Sequence, residues 1–210
     1  KKFLKTAWPL MIVSVSVFLY IRTDQIMIKH MIGNEALGNY AAATRVSELF
    51  YFIAGAITIS LFPKIVELRQ INYKKYLVLI ENLYRLVVWM SLLIAIIIYS
   101  FREQIIMLLY GVQYTQASDI LAILSWSIVF SSIGAVFVKM LYAEHYEKKY
   151  MYKSILGVFF NIFLNYILIG LYGSEGAAIA TIITLFIINY LYDFFDKDLR
   201  KFYYLKINCF

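Results

Sequence analysis

Charged side chains inside long apolar runs are where this sequence could do chemistry. Arg22 and Asp24 stand in the run that follows Trp8, and Arg45 and Glu48 in the run that follows Asn39. An ionisable group at the centre of a hydrocarbon layer costs about 2.5–3.5 kcal/mol on insertion scales, so each needs a partner, a wet cavity or a function. A buried arginine offers charge to an anionic group, and a carboxylate nearby can take up and release a proton. These four are the candidate substrate-binding or coupling residues. Arg45 and Glu48, three apart, share a helical face; Arg22 and Asp24 project about 200° apart at 100° per residue, so one of that pair must serve elsewhere. Asp24, Arg45 and Glu48 can form a neutral polar knot pinning two helices, or Arg45 can lend charge to a cavity while Asp24 or Glu48 titrates. Arg22 can instead snorkel to the outer interface.

The remaining polar residues of the apolar runs have local explanations. Glu81 and Arg85, acid first at i and i+4, suit an ion pair on one helix. Lys139 and Asp193 fall near helix ends, where snorkelling or loop contacts would satisfy them. Asn161 and Asn165, one turn apart in mid-run, should hydrogen-bond across helices. Gly176 with Ala180, and Ala177 with Thr181, make a small-residue face suited to a tight helical hairpin. Nothing resembles a catalytic or metal centre. No Gly-rich phosphate loop precedes a Lys-Ser or Lys-Thr, His30 and His145 stand alone in loops on opposite sides, and the single cysteine, Cys209, can form neither an intrachain disulfide nor a thiolate metal site. The sequence therefore reads as a transporter component and not an enzyme, with no cofactor.

The elements that must position these residues are membrane helices. Of 210 residues, 62% are hydrophobic and 16% charged, against about 45–50% and 25% in soluble domains, and the mean hydropathy is +0.72. Six segments approach the roughly 20 apolar residues that a span requires, at 8–29, 39–62, 76–99, 119–140, 152–172 and 176–195. Backbone groups cannot go unpaired in lipid, and the alternating ten-residue strands of a barrel are absent, so the fold class is all-α. With two prolines and no Ser- or Gln-rich tract there is no linker, and 1–210 reads as a single six-helix membrane lobe. Gln104 to Leu109, ending at Gly111, is too short to span and should lie at the outer interface.

Positive charge sets the orientation. Lys1, Lys2 and Lys5, then Lys64, Arg69, Lys74 and Lys75, then Lys139, Lys148, Lys149 and Lys153, then Lys197, Arg200, Lys201 and Lys206 fall on one side; Lys29 and Arg102 fall on the other. Both termini should therefore be cytoplasmic. The net charge of +7 is spread over these loops, which argues for contact with anionic membrane lipids and against nucleic acid. Many of the nineteen tyrosines, such as Tyr73, Tyr76, Tyr110 and Tyr114, sit near predicted interfaces as an aromatic belt.

The run FLYIRTDQIMIKHMIGNEALGNYAAATRVSELFYF, Phe18 to Phe52, followed by SLFPK, Ser60 to Lys64, resembles the start of the second half of Wzx-type O-antigen and polysaccharide-repeat flippases, of the multidrug/oligosaccharidyl-lipid/polysaccharide (MOP) exporter superfamily. LLYGVQYTQA, Leu108 to Ala117, and NIFLNYILIGLYGSEGAAIAT, Asn161 to Thr181, resemble it in the same order, so the likeness covers nearly the whole chain; the last piece is shared more widely across the superfamily. The resemblance implies one lobe of a MATE-like fold, the C-terminal of two, with the N-terminal lobe not in this chain, which also begins without a methionine. It implies movement of undecaprenyl-pyrophosphate-linked oligosaccharide from the inner to the outer leaflet of the bacterial cytoplasmic membrane, by alternating access and with proton coupling as an option. It places Asp24 and Arg45 at charged positions of the first two helices of that lobe, and Glu48 at an acid beside them. Rival readings are another exporter of the superfamily, for drugs or the peptidoglycan precursor, a membrane enzyme of polysaccharide assembly, and a channel or structural subunit. The enzyme would be expected to carry a large loop of clustered acids, which is lacking here.

Overall fold

A computed structural model describes residues 2–207, with side chains from Trp8 onward; Cys209 lies outside the described residues. Every described regular element is helical. α1 (Lys2–Met31), α2 (Asn34–Ile71) and α3 (Tyr73–Ser100) follow one another with almost no intervening chain. A short α4 (Arg102–Tyr110) and a single 3₁₀ turn lead into α5 (Ala117–Ala143) and α6 (Glu147–Phe186), then a π turn (Ile187–Leu191), α7 (Tyr192–Phe195) and α8 (Arg200–Ile207).

Five stretches are long and apolar enough to cross a membrane, the last being 147–195. That last stretch is two spans folded on each other. Gly173 has φ 60° and ψ −139°, a combination that breaks the helix and is open to glycine without a Cβ penalty. Lys153 meets Asp193, Gly157 faces Ile188 and Gly176 lies against Leu168, so that each pair straddles positions 172–173. Arms 147–172 and 174–195 therefore run antiparallel, giving six spanning segments as the sequence suggests. A Cβ on Gly176 would lie 1.9 Å from the Leu168 carbonyl oxygen. The small residue there is required by backbone contact, and the expected tight hairpin is present.

α5 is the central helix, buried along most of its length between α2, α3 and α6. Its sequence is apolar all round, with serines where neighbours approach, as an interior membrane helix requires. One apolar cluster, at the end that carries the C-terminal segment and is called inner only as a label, joins α3 and α5 and includes Leu199 and Phe202. A second, at the opposite end, labelled outer, joins α1, α2, α5 and Ile169 of α6.

Two predicted limits moved. The expected break between the first two spans, residues 30–38, contracts to Ile32 and Gly33, with Gly33 at φ 131°. His30 thus belongs to the last turn of α1. The second span was expected at 39–62, but α2 continues past that limit and through Pro63, for 38 residues in all, about 57 Å at 1.5 Å per residue. Its far end reaches beyond a hydrocarbon layer of about 30 Å, where Arg69 makes two hydrogen bonds to Glu144, at 2.9 and 3.0 Å.

Candidate functional site: a polar cavity inside the helices

A cavity of about 280 Å³ opens between α1, α2, α5 and the two arms of the α6 hairpin. Its outer half is walled by hydroxyls and two acids. Asp24, 5% exposed, accepts a hydrogen bond from the hydroxyl of the fully buried Tyr40 and another, at 2.7 Å, from the backbone N–H of Gln25. Glu48 enters the same space from α2. Tyr51 and Ser127 share a hydrogen bond of 2.6 Å, and the buried hydroxyl of Tyr20 faces the cavity with no hydrogen-bond partner. Two carboxyl groups among phenols and alcohols can hold a proton or a small cation; among the described residues there is no cluster of His, Cys, Asp and Glu able to hold a metal ion.

The four charged candidates separate. Asp24 and Glu48 line the cavity; Arg22 and Arg45 do not. The longer break expected between the first two spans, residues 30–38, would put Asp24 and Arg45 at similar depths, but no ion pair joins them and the three-residue knot does not form. The cause is the contracted turn. With α2 starting at Asn34, Asp24 lies seven residues before the end of α1 and Tyr40 lies six after the start of α2, so Tyr40 occupies the depth that a longer loop assigned to Arg45. Arg45 is exposed on a stripe of α2 that continues through Leu49, Phe52 and Ile59, at 67%, 75% and 62% exposure. Although Arg45 and Glu48 are neighbours in helical register, the first turns out of the helix packing and the second turns in. Arg22 is half-buried and donates to Gln25 Oε1 at 3.4 Å.

The inner end of the cavity holds charges that the sequence reading assigned elsewhere. Lys153, which lines the cavity, lies 3.3 Å from Asp193, and Lys206 of α8 bonds the other oxygen of the same carboxylate. All three side chains are no more than 2% exposed. Both ammonium groups also sit over the Phe137 ring, at 3.9 and 3.6 Å from its centroid. Lys153 and Lys206, counted above among loop cations, are thus interior groups, and Asp193 does not snorkel. A signal was available: Lys153 and Asp193 are equidistant from Gly173, the hinge of the hairpin. Burial outweighs the attraction of Asp193 and lowers the Lys206 ammonium pKa below the ordinary lysine value.

Other expectations fared unevenly. Glu81 and Arg85 pair at 3.2 Å as foreseen, and Lys139 rests over the Phe62 ring. Asn161 and Asn165 bond each other at 3.0 Å instead of bridging helices, which leaves Asn161 Nδ2 and Asn165 Oδ1 buried without partners. Their one-turn spacing made the local bond available, and it won.

The MatE family model matches residues 9–167. The chain is 26% identical over 172 residues to the probable low-salt glycan biosynthesis flippase Agl15 of Haloferax volcanii, covering 80% of this chain and 36% of that protein. It is 33% identical over 172 residues to an uncharacterised membrane protein of Methanocaldococcus jannaschii, covering 78% and 33%. In structure it resembles an outward-facing multidrug resistance MATE family transporter of the MOP superfamily, with a TM-score of 0.74 at 20% identity, over 87% of this chain and 42% of that one. The chain thus spans well under half the length of each. Six antiparallel spanning segments, a polar cavity among them and a family match over most of the chain agree: this is a multi-pass membrane protein that belongs to the MatE family.

Proposed function

We propose that residues 1–210 form one lobe of a flippase that carries lipid-linked oligosaccharide, in its finer form an undecaprenyl-pyrophosphate-linked O-antigen-type repeat unit, from the inner to the outer leaflet of a bacterial cytoplasmic membrane. The observation that carries this reading is the division of charge between α1 and α2. Asp24 and Glu48 face the internal cavity, where one of them can titrate, while Arg45 stands on an exposed helical stripe. In a two-lobe transporter that stripe would face the second lobe, and an arginine there offers an anionic head group a place at mid-passage that hydrocarbon does not. The likeness to a glycan biosynthesis flippase favours this cargo over a drug. Alternating access would move the two lobes against one another, with protonation of the cavity acids as the coupling step and both ends of the chain on the cytoplasmic side.

The test is complementation of a flippase-null strain by the full-length protein. Arg45→Ala is expected to abolish it and Arg45→Lys to retain part. If both variants complement like wild type, Arg45 has no part in handling the substrate.

A further inference from the structure

The inner end of the cavity carries one more buried cation than anion. Lys153 and Lys206 share the single carboxylate of Asp193. Asp196 and Asp198, which share Lys149 at 2.6 Å, lie towards the solvent edge, 20% and 61% exposed, and the buried ammonium groups of Lys153 and Lys206 pair with Asp193 instead. A buried charge without a counter-charge is costly, and a good fit around a ring face recovers only part of that cost. Lys206 is fully committed: it bonds Asp193 and donates to the carbonyl of Asn189, within the π turn, at 2.8 Å. Lys153 is not committed to the same degree. Its bond to Asp193 is the longer of the two, and its side chain borders open space that Tyr150, Ser154 and Asn189 also line.

We propose that this inner end is a binding site for a phosphate-type oxyanion, with Lys153 as its cation and the Lys206–Asp193 pair as the device that keeps Lys153 under-neutralised. Lysine binds phosphate as a point charge, and the hydroxyl of Tyr150 supplies a hydrogen-bond donor beside it, whereas that of Ser154 already donates to the Met151 carbonyl at 2.8 Å. Thr181 stands beside Tyr40 at the acidic end, and the twelve residues from Thr181 to Asp193 put the two ends about 18 Å apart at 1.5 Å per residue. An anion at Lys153 is therefore out of reach of Asp24, and the two ends can be occupied separately. The identity of the anion as a lipid-linked phosphate rests on the flippase reading; the site itself does not.

The test is binding to the full-length protein in nanodiscs of neutral lipid, in an Arg45→Ala background so that the exposed arginine contributes nothing. Inorganic pyrophosphate and farnesyl diphosphate are the probes, titrated by calorimetry. At least one should bind, and Lys153→Gln should weaken it tenfold or more. Because that variant disturbs a buried pair and can fail to fold, Lys206→Met is the second: it leaves Lys153 and Asp193 as a balanced pair, and it too should weaken binding at least tenfold although Lys206 does not line the cavity. Binding of farnesyl diphosphate alone assigns the site to a lipid head group, and equal binding of both assigns it to the anion as such. If neither probe binds, or if Lys206→Met binds like its parent, the proposal is overturned, whatever complementation shows for Arg45.

Discussion

At the outer end of the cavity Asp24 accepts hydrogen bonds from a phenol and a backbone amide, whereas at the inner end Asp193 is held between two ammonium groups. Both carboxyls are buried in the same helical packing, yet their neighbours differ in kind. A carboxyl satisfied by neutral donors can change protonation without stranding a partner, because phenol and amide also tolerate the neutral acid nearby. A carboxylate between two lysines is different in kind, since removing its charge leaves two cations buried together. The outer end is therefore suited to take part in a cycle and the inner end to hold a fixed charge.

Removing the central acid of the inner end should break that contrast most severely. Asp193→Asn leaves Lys153 and Lys206 without a counter-charge, and loss of one partner of a buried pair costs about 3–5 kcal/mol. The expected result is a large fall in melting temperature in detergent, partly restored by adding Lys206→Met. Gly176→Ala comes next. It introduces a Cβ 1.9 Å from the Leu168 carbonyl oxygen, so the arms of the hairpin must part; overpacking of this kind costs about 1–3 kcal/mol, and the same melting measurement reads it. Tyr40→Phe, at the outer end, leaves one acceptor of Asp24 bare and should cost about 1–3 kcal/mol. Asp24→Ala combined with Tyr40→Phe should cost less than the two single changes added together, since each removes the same hydrogen bond.

The contrast also explains what could be read before the fold was known. Six spans, an all-α class and a tight last hairpin follow from apolar run length and from small residues at Gly176 and Ala180, signals that depend only on neighbours along the chain. Asp24 and Glu48 were legible as interior groups because hydrocarbon makes charge expensive wherever it lies. What they touch was not, because the partner depends on where α2 begins, and a turn shortened to Ile32 and Gly33 moved Tyr40 into the place expected for Arg45. The inner cluster was missed for a related reason. The pairing of Lys153 with Asp193 could have been read from their equal spacing about Gly173, but Lys206 looks like an interfacial cation in any count by position, and only the fold of α8 onto the helical bundle, through Phe202 and Leu199, carries it inside.

The smallest predicted effect lies just outside the inner cluster and separates exposed from buried charge. Burial alone would raise the Asp196 carboxyl, but the Lys149 ammonium at 2.6 Å and the backbone N–H groups of Asp198 and Leu199 hold it below the ordinary aspartate value. A carboxyl depressed by folding adds stability that is complete above its unfolded pKa, about 3.9, and is lost as pH falls through the lower native value. Lys149→Met should therefore melt slightly below wild type from neutral pH down to about 5, and the gap should close as the pH falls below about 4. A gap at Lys149 that persists unchanged at low pH would mean that packing of the lysine stem, and not its charge, holds the end of α7 in place.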